Sequence, residues 1–127
     1  MKNRSVIATS KAAAAVGAYS QGIKTPNFVF ASGQMPIIPE TGTIPDGVEA
    51  QTRQVLANLT AVLTAGGADL SSVTKTTVFL KNMSDFEVMN RVYSEHFTSN
   101  PPARSTIEVA RLPKDALVEI EAIAVVL

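Results

Sequence analysis

The fold is decided by the stretch VEIEAIAVVL, residues 118–127, which has the composition and alternation of a β-strand. Successive side chains of a strand point to opposite faces, so one face of this stretch is apolar throughout. The other face begins with Glu119 and Glu121 and is apolar from Ile123 onward. A strand that is apolar on both faces over its second half does not face water there. The sequence therefore predicts a long strand that is covered on both sides.

Three other stretches predict strands, at residues 28–32, 73–80 and 103–109, because each contains β-branched or aromatic side chains between turn-forming residues. They precede the final strand in the chain. Together with it they supply enough strands for a mixed sheet.

Two helices separate these strands. The first is indicated by Asp46 and Glu49, which resemble an N-cap with its supporting carboxylate, and by apolar residues that recur at helical spacing until Gly66. The second is indicated by the run SDFE at residues 84–87 and must end before Pro101.

The resulting order of elements predicts an α+β fold, a mixed β-sheet with two helices packed on one face. Neither a linker nor a repeat divides the 127 residues, so we expect a single domain over residues 1–127. The face of the sheet away from the helices needs another cover. Self-association is the economical explanation, because two helices bury too little of the sheet.

Composition excludes several classes of function. Eleven basic residues balance eleven acidic ones, so no positive field attracts nucleic acid. The apolar runs are far shorter than the about 20 residues of a membrane span, and we expect a cytoplasmic protein. Cysteine is absent and His96 is the one histidine, so neither a thiolate site nor a histidine metal cage is expected. We assign His96 no role.

Arg104 is the best candidate for binding a small carboxylate. Its planar guanidinium can bind both oxygens of a carboxylate and stays charged at any working pH. Arg104 and Thr106 share a face of their predicted strand, and Glu119 and Glu121 share a face of the next strand along the chain. From spacing alone, a solvated edge arginine is an equally good interpretation of Arg104. For the two glutamates, a strand surface protected by acidic residues is the favoured interpretation.

The sequence resembles the RidA (YjgF/YER057c/UK114) family along nearly its whole length. Five collinear blocks carry the resemblance: GAYSQG at residues 17–22, ASGQMP at 31–36, VTKTTVFL at 73–80, PARSTIEVARLPKD at 102–115 and VEIEAIA at 118–124. The resemblance implies a chorismate-mutase-like or YjgF-like fold and a homotrimer with a barrel-like centre. It also implies ligand sites in the clefts between subunits.

The activity implied by the resemblance is hydrolysis of reactive enamines and imines, such as 2-aminoacrylate, 2-iminopropanoate and 2-iminobutanoate, to 2-oxo acids and ammonia. No metal or organic cofactor is implied. By the same resemblance, Arg104 holds the substrate carboxylate and Glu119 holds or activates the hydrolytic water. Tyr19 covers the site from the neighbouring subunit. Glycine would let the backbone at Ser32 and Gly33 approach the ligand and present an N–H donor, although a plain strand-end turn is an equally good interpretation.

Two further positions carry less specific expectations. Asn90 matches a family position near the cleft, although a solvated helix face is an alternative interpretation. Thr106 departs from the family, since many members carry cysteine at this position. Its hydroxyl can hydrogen-bond a substrate or water but has no thiol chemistry.

Two other functions stay open at the level of sequence. The same clefts could bind 2-oxo acids without catalysis, as a regulatory trimer. A ribonuclease or translation-inhibitor activity, attributed to some relatives, ranks third, because tight phosphate binding usually needs clustered Lys and Arg.

Overall fold

A six-stranded sheet organises the computed structural model, which describes residues 3–127. The elements in chain order are β1 (Ser5–Ile7), β2 (Gly22–Lys24), β3 (Phe28–Gln34), α1 (Val48–Ala65), β4 (Val73–Leu80), α2 (Phe86–His96), β5 (Ala103–Glu108) and β6 (Val118–Val125). The strands lie in the order β1-β2-β3-β6-β4-β5. All neighbours are antiparallel except β4 and β5, which are parallel and are joined through α2.

The predicted final strand is confirmed and lies inside the sheet, between β3 and β4. Its burial alternates as expected, since Val118, Ile120, Ala122 and Ala124 are buried and the residues between them are not. These apolar side chains face the helices and form the centre of the core. The α+β prediction with two helices on one face is therefore confirmed.

Helix α1 packs its apolar stripe on this core, with Val55, Leu59 and Val62 fully buried. The predicted cap is wrong, because the residue before the helix is Gly47, at φ 86°, and no side chain caps the first turn. The predicted end is confirmed: α1 stops at Ala65, and Gly67 adopts a φ of 84°, which glycine reaches without steric cost.

Helix α2 covers the other half of the same face, above β4 and β5. Met89, Val92 and Tyr93 are buried, and the helix ends at His96, well before the prolines. The side chain of Tyr93 hydrogen-bonds β4 through Thr76. Because a parallel pair requires a crossover, the β4–α2–β5 unit fixes α2 over the edge strand β5.

The opposite face of the sheet is open in the single chain. Phe28, Phe30 and Val125 are each 41 % exposed there, and Phe28 pairs directly with Val125. Large apolar side chains clustered on a strand surface usually mark a contact with another surface. The expectation that the helices leave this face uncovered is therefore met, while the identity of its cover stays a prediction. Among the helices within residues 3–127, none is long and apolar enough to cross a membrane.

Candidate active site

Arg104 lies on the edge strand β5 and points toward α2. It pairs with Thr76 of β4, whose side chain is buried on the helix face. One guanidinium nitrogen, Nη1, donates to Oδ1 of Asn90 at 2.7 Å. The guanidinium carbon lies 4.7 Å from the ring centroid of Tyr93 and 5.5 Å from that of Phe86. Within the part of the chain that the structure describes, no carboxylate pairs with Arg104, so its charge is available to an anion.

Thr106 points the same way as Arg104, two residues further along β5. Its partner across the parallel pair is Val78, which is fully buried on the helix face. The hydroxyl of Thr106 is buried, and among residues 3–127 it has no hydrogen-bond partner. Buried hydroxyls are usually hydrogen-bonded, so this oxygen can bind a ligand or a water molecule beside Arg104.

Asn90 is half-buried and contacts Arg104. Its side-chain oxygen accepts from the guanidinium, which orients the amide toward β5. Asn90 is thus close to the predicted carboxylate site, on the helix that the β4–β5 crossover places there. Its observed contact is with Arg104, the candidate for binding a carboxylate.

Glu119 lies on the other face of the sheet. It pairs with Phe79 of β4, while its neighbours Val118 and Ile120 are buried toward the helices. Gly33 of β3 packs directly against the carboxylate, so closely that a Cβ at this position would collide with it. A register shift between Ala31 and Gln34 brings Gly33 to this place.

The ionisation of Glu119 is perturbed. Partial burial raises the pKa of Glu119 above its ordinary value, and the negative charge of Glu121 on the same face raises this pKa further. A carboxylate with a raised pKa is a stronger base than an ordinary one, which suits acceptance of a proton from water.

A cleft of about 560 Å³ opens above Glu119. Tyr19 forms one wall, with its hydroxyl accepting a hydrogen bond from the Val16 amide at 3.4 Å. Ser32 forms another wall, but both of its donors are used inside the protein. Its hydroxyl donates to Ser20 O at 2.6 Å, and its amide donates to Gln21 O at 2.9 Å. Ser32 thus fixes the Tyr19 loop against β3.

The predicted site residues form two groups in one chain. Arg104, Asn90 and Thr106 lie on the helix face at the β5 edge, whereas Glu119 and Gly33 lie on the open face. The strand β4 separates β5 from β6, so the carboxylates are not on the strand next to Arg104 in space. In a single chain the sheet itself therefore lies between the two groups.

Sequence reasoning missed several residues that shape these clefts. The Gln21 side chain is buried and binds both the N–H and the C=O of Thr9, as well as the C=O of Ala13, at 2.7–3.0 Å. It therefore holds the N-terminal loop against the Tyr19 loop. Lys75 and Thr77 line a second, larger cleft of about 800 Å³ on the open face. The sequence blocks at residues 17–22 and 73–80 contain Gln21, Lys75 and Thr77, but only the sheet register shows where these side chains point.

Comparison with known proteins agrees with this architecture. The family described as endoribonuclease L-PSP matches residues 9–126. The chain therefore belongs to this family, whose members include proteins named RidA, RutC and YjgF. Among residues 3–127, no group of three or more His, Asp or Glu side chains is placed to hold a metal ion.

Individual relatives are close in sequence and in structure. A RutC family protein of Pyrococcus abyssi is 52 % identical, with 95 % of this chain and 96 % of the relative covered. The 2-iminobutanoate/2-iminopropanoate deaminase of Escherichia coli K12 is 49 % identical, with 94 % and 95 % covered. The crystal structure of E. coli TdcF with bound serine superposes with a TM-score of 0.93 at 44 % identity, covering 95 % of this chain and 98 % of that one.

Proposed function

We propose that this protein hydrolyses 2-imino acids and their enamine tautomers to 2-oxo acids and ammonia in the cytoplasm. Support comes from relatives of near-equal length that carry the name 2-iminobutanoate/2-iminopropanoate deaminase and from the structure of a serine-bound relative. In the reaction, water attacks C2 of the iminium, the C–N bond breaks, and a 2-oxo acid and ammonium leave. One observation carries the proposal. Among residues 3–127, Arg104 forms no ion pair with a carboxylate and lies over the ring of Tyr93, and the buried hydroxyl of Thr106 beside it has no hydrogen-bond partner.

Arg104 is the anchor for the carboxylate in this proposal. Asn90 and two aromatic rings hold its guanidinium from within, which leaves the remaining N–H groups to bind both oxygens of an anion. The hydroxyl of Thr106, on the same face of β5, would donate to the carboxylate or the substrate nitrogen. A fixed cation of this kind lowers the entropic cost of orienting the substrate.

Glu119 is the proton acceptor in this proposal. Its carboxylate takes a proton from the attacking water and returns it to the departing nitrogen. Proton transfer by a positioned side chain typically contributes about 10²–10⁴-fold to rate, which suffices for imines that already hydrolyse in water. Tyr19 covers the cleft above Glu119 and keeps the reacting carbon away from bulk solvent.

The active site in this proposal is shared between two chains of a homotrimer. Arg104 and Glu119 lie on opposite faces of one sheet, so one substrate can contact both only if they come from different copies. The exposed Phe28, Phe30 and Val125 supply an apolar surface that a second copy would cover. Burial of such surface stabilises association by about 25 cal/mol per Å².

A coupled assay tests the activity. Threonine dehydratase generates 2-iminobutanoate, and the rate of its disappearance is followed with wild type or with Arg104→Ala. We expect wild type to accelerate the loss and Arg104→Ala to abolish the acceleration while keeping its thermal unfolding temperature. An Arg104→Ala variant that is folded and fully active would contradict the assignment of the anchor.

Binding of 2-oxo acids without turnover is the second candidate function, since it needs the same Arg104 site. Glu119→Gln separates the two: retained binding of 2-oxobutanoate with loss of turnover supports catalysis. The endoribonuclease description of the family prompts a third test with RNA. The net charge of zero predicts neither tight RNA binding nor the steep salt dependence that phosphate contacts produce.

A further inference from the structure

A pair of hydroxyls lies buried behind Arg104, and the proposed reaction uses neither. The oxygens of Tyr93 and Thr76 are 2.7 Å apart. Thr76 is fully buried, and Tyr93 is 4 % exposed. A polar pair in such a position is costly unless it is satisfied, and each of these oxygens satisfies the other.

The pair is located directly beside the anchor for the carboxylate. Thr76 is the residue of β4 that pairs with Arg104 of β5. The hydroxyl end of the Tyr93 ring is bound to Thr76, and the ring lies 4.7 Å from the guanidinium carbon of Arg104. Phe97 contacts the same ring, with centroids 4.5 Å apart. The ring is therefore restrained by α2, by Phe97 and by the strand beside Arg104.

The phenol of Tyr93 does not have the properties of a proton donor for the reaction. Burial raises the pKa of Tyr93 above its ordinary value, and the Thr76 hydrogen bond and the charge of Arg104 offset part of this rise. The phenol is thus neutral at working pH and offers a π-face to the guanidinium. A cation this close to a tyrosine ring is attracted by the negative potential of the ring face, more strongly where water is excluded.

We infer that Tyr93 is a positioning residue that fixes the direction of the Arg104 guanidinium and that Thr76 fixes Tyr93. The inference rests on the proposed function for its kinetic readout, but the geometry of Arg104 can be measured without turnover. Without the Thr76 hydrogen bond, the Tyr93 ring could rotate. The Arg104 guanidinium could then leave the orientation that binds a carboxylate at the β5 edge. Both residues would act through Arg104, since Thr76 is fully buried and Tyr93 is 4 % exposed.

Four variants test the inference. Tyr93→Phe and Thr76→Val remove the hydrogen bond, Tyr93→Leu also removes the ring, and Thr76→Ser keeps the hydroxyl as a conservative rescue. Thr52→Val is the matched control, because Thr52 is also fully buried and its hydroxyl donates at 2.7 Å to Val48 O within α1, away from Arg104. Thermal unfolding establishes that each variant is folded before it is assayed.

For Tyr93→Phe and Thr76→Val, we expect a KM for 2-iminobutanoate and a Kd for 2-oxobutanoate raised about three- to tenfold, the size of a weakened hydrogen bond or cation–π contact. We expect kcat to change by less than about twofold, because Glu119 and the water are untouched. Tyr93→Leu should have the largest effect, and Thr76→Ser should restore wild-type values. Thr52→Val should lose stability but keep KM and Kd.

A second readout is independent of catalysis. The Nε–Hε resonance of Arg104 in a two-dimensional nitrogen–proton spectrum should shift and broaden in Tyr93→Leu and stay unchanged in Thr52→Val. Unchanged KM, Kd and Arg104 resonance in folded Tyr93→Leu would overturn the positioning role, even with an active wild type. An inactive wild type whose 2-oxobutanoate affinity or Arg104 resonance still responds to Tyr93→Leu would overturn the deaminase proposal and leave the positioning role standing.

Discussion

At the scale of single residues, the proposed reaction depends on two charged groups, Arg104 and Glu119, whose surroundings suit their proposed roles. Arg104 is held by Asn90 and by aromatic rings, and no carboxylate within residues 3–127 pairs with it. Glu119 is crowded by Gly33 and Glu121 and partly buried. The surroundings of Arg104 favour the binding of an anion, and the surroundings of Glu119 favour the binding of a proton.

The raised pKa of Glu119 predicts the pH dependence of activity. Glu119 must be ionised to accept a proton, so turnover falls as pH decreases through this raised pKa. Glu121→Gln removes a neighbouring negative charge, lowers the pKa of Glu119 and moves the acid limb of the kcat profile to lower pH. A limb that stays in place or moves to higher pH would show that Glu121 does not act on Glu119.

The raised pKa of Glu119 also predicts how the stability of the fold depends on pH. A carboxyl whose pKa is raised on folding stabilises the fold fully below its unfolded pKa, and this contribution is lost as pH rises through the folded pKa. At neutral pH the ionised Glu119 therefore weakens the fold. We expect Glu119→Gln to unfold at an equal or higher urea concentration than wild type at pH 7, with the difference vanishing at acid pH. Lower stability at pH 7 would contradict the assigned shift.

At the scale of elements, β6 presents two faces with different roles. Ile120 is fully buried against the helices, while Val125 is 41 % exposed on the open face. We expect Ile120→Ala to lower the free energy of unfolding by about 2–5 kcal/mol through the cavity it leaves. Val125→Ala should instead weaken association while changing the unfolding of the separated chain little. Urea titration and light scattering distinguish the two effects, and equal losses of chain stability would contradict this division.

The alternation of residues 118–127 was enough to predict β6, its buried face and the need for a second cover. The helix stripes were equally readable, because an apolar repeat of 3.6 residues is typical of an amphipathic helix. The start of α1 was not, since Gly47 precedes it without a side-chain cap. The sequence also did not predict that Arg104 and Glu119 lie on opposite faces of the sheet. Strand β5 comes directly before β6 in the chain, but β4 lies between them in the sheet. Sheet order depends on long-range pairing, which local patterns do not encode.

At the scale of the whole molecule, the proposed site is divided in a single chain, because Arg104 and Glu119 lie on opposite faces of the sheet. The open face should be the contact between copies, so Phe30→Asp should dissociate the assembly. Light scattering should then show monomers, and the coupled assay should show loss of turnover although Arg104 and Glu119 are unchanged. An active monomer would contradict the shared site.

The central claim is most directly tested by mixing Arg104→Ala and Glu119→Gln, each inactive alone, through joint unfolding and refolding. Suppose that each site takes Arg104 from one chain and Glu119 from another. In an equal mixture, half of the sites then have an intact Arg104, and, independently, half have an intact Glu119. About one quarter of the sites in randomly assembled trimers then regain both groups, and activity returns to about one quarter of wild type. Mixed trimers, verified by mass spectrometry, that show no activity would contradict the account.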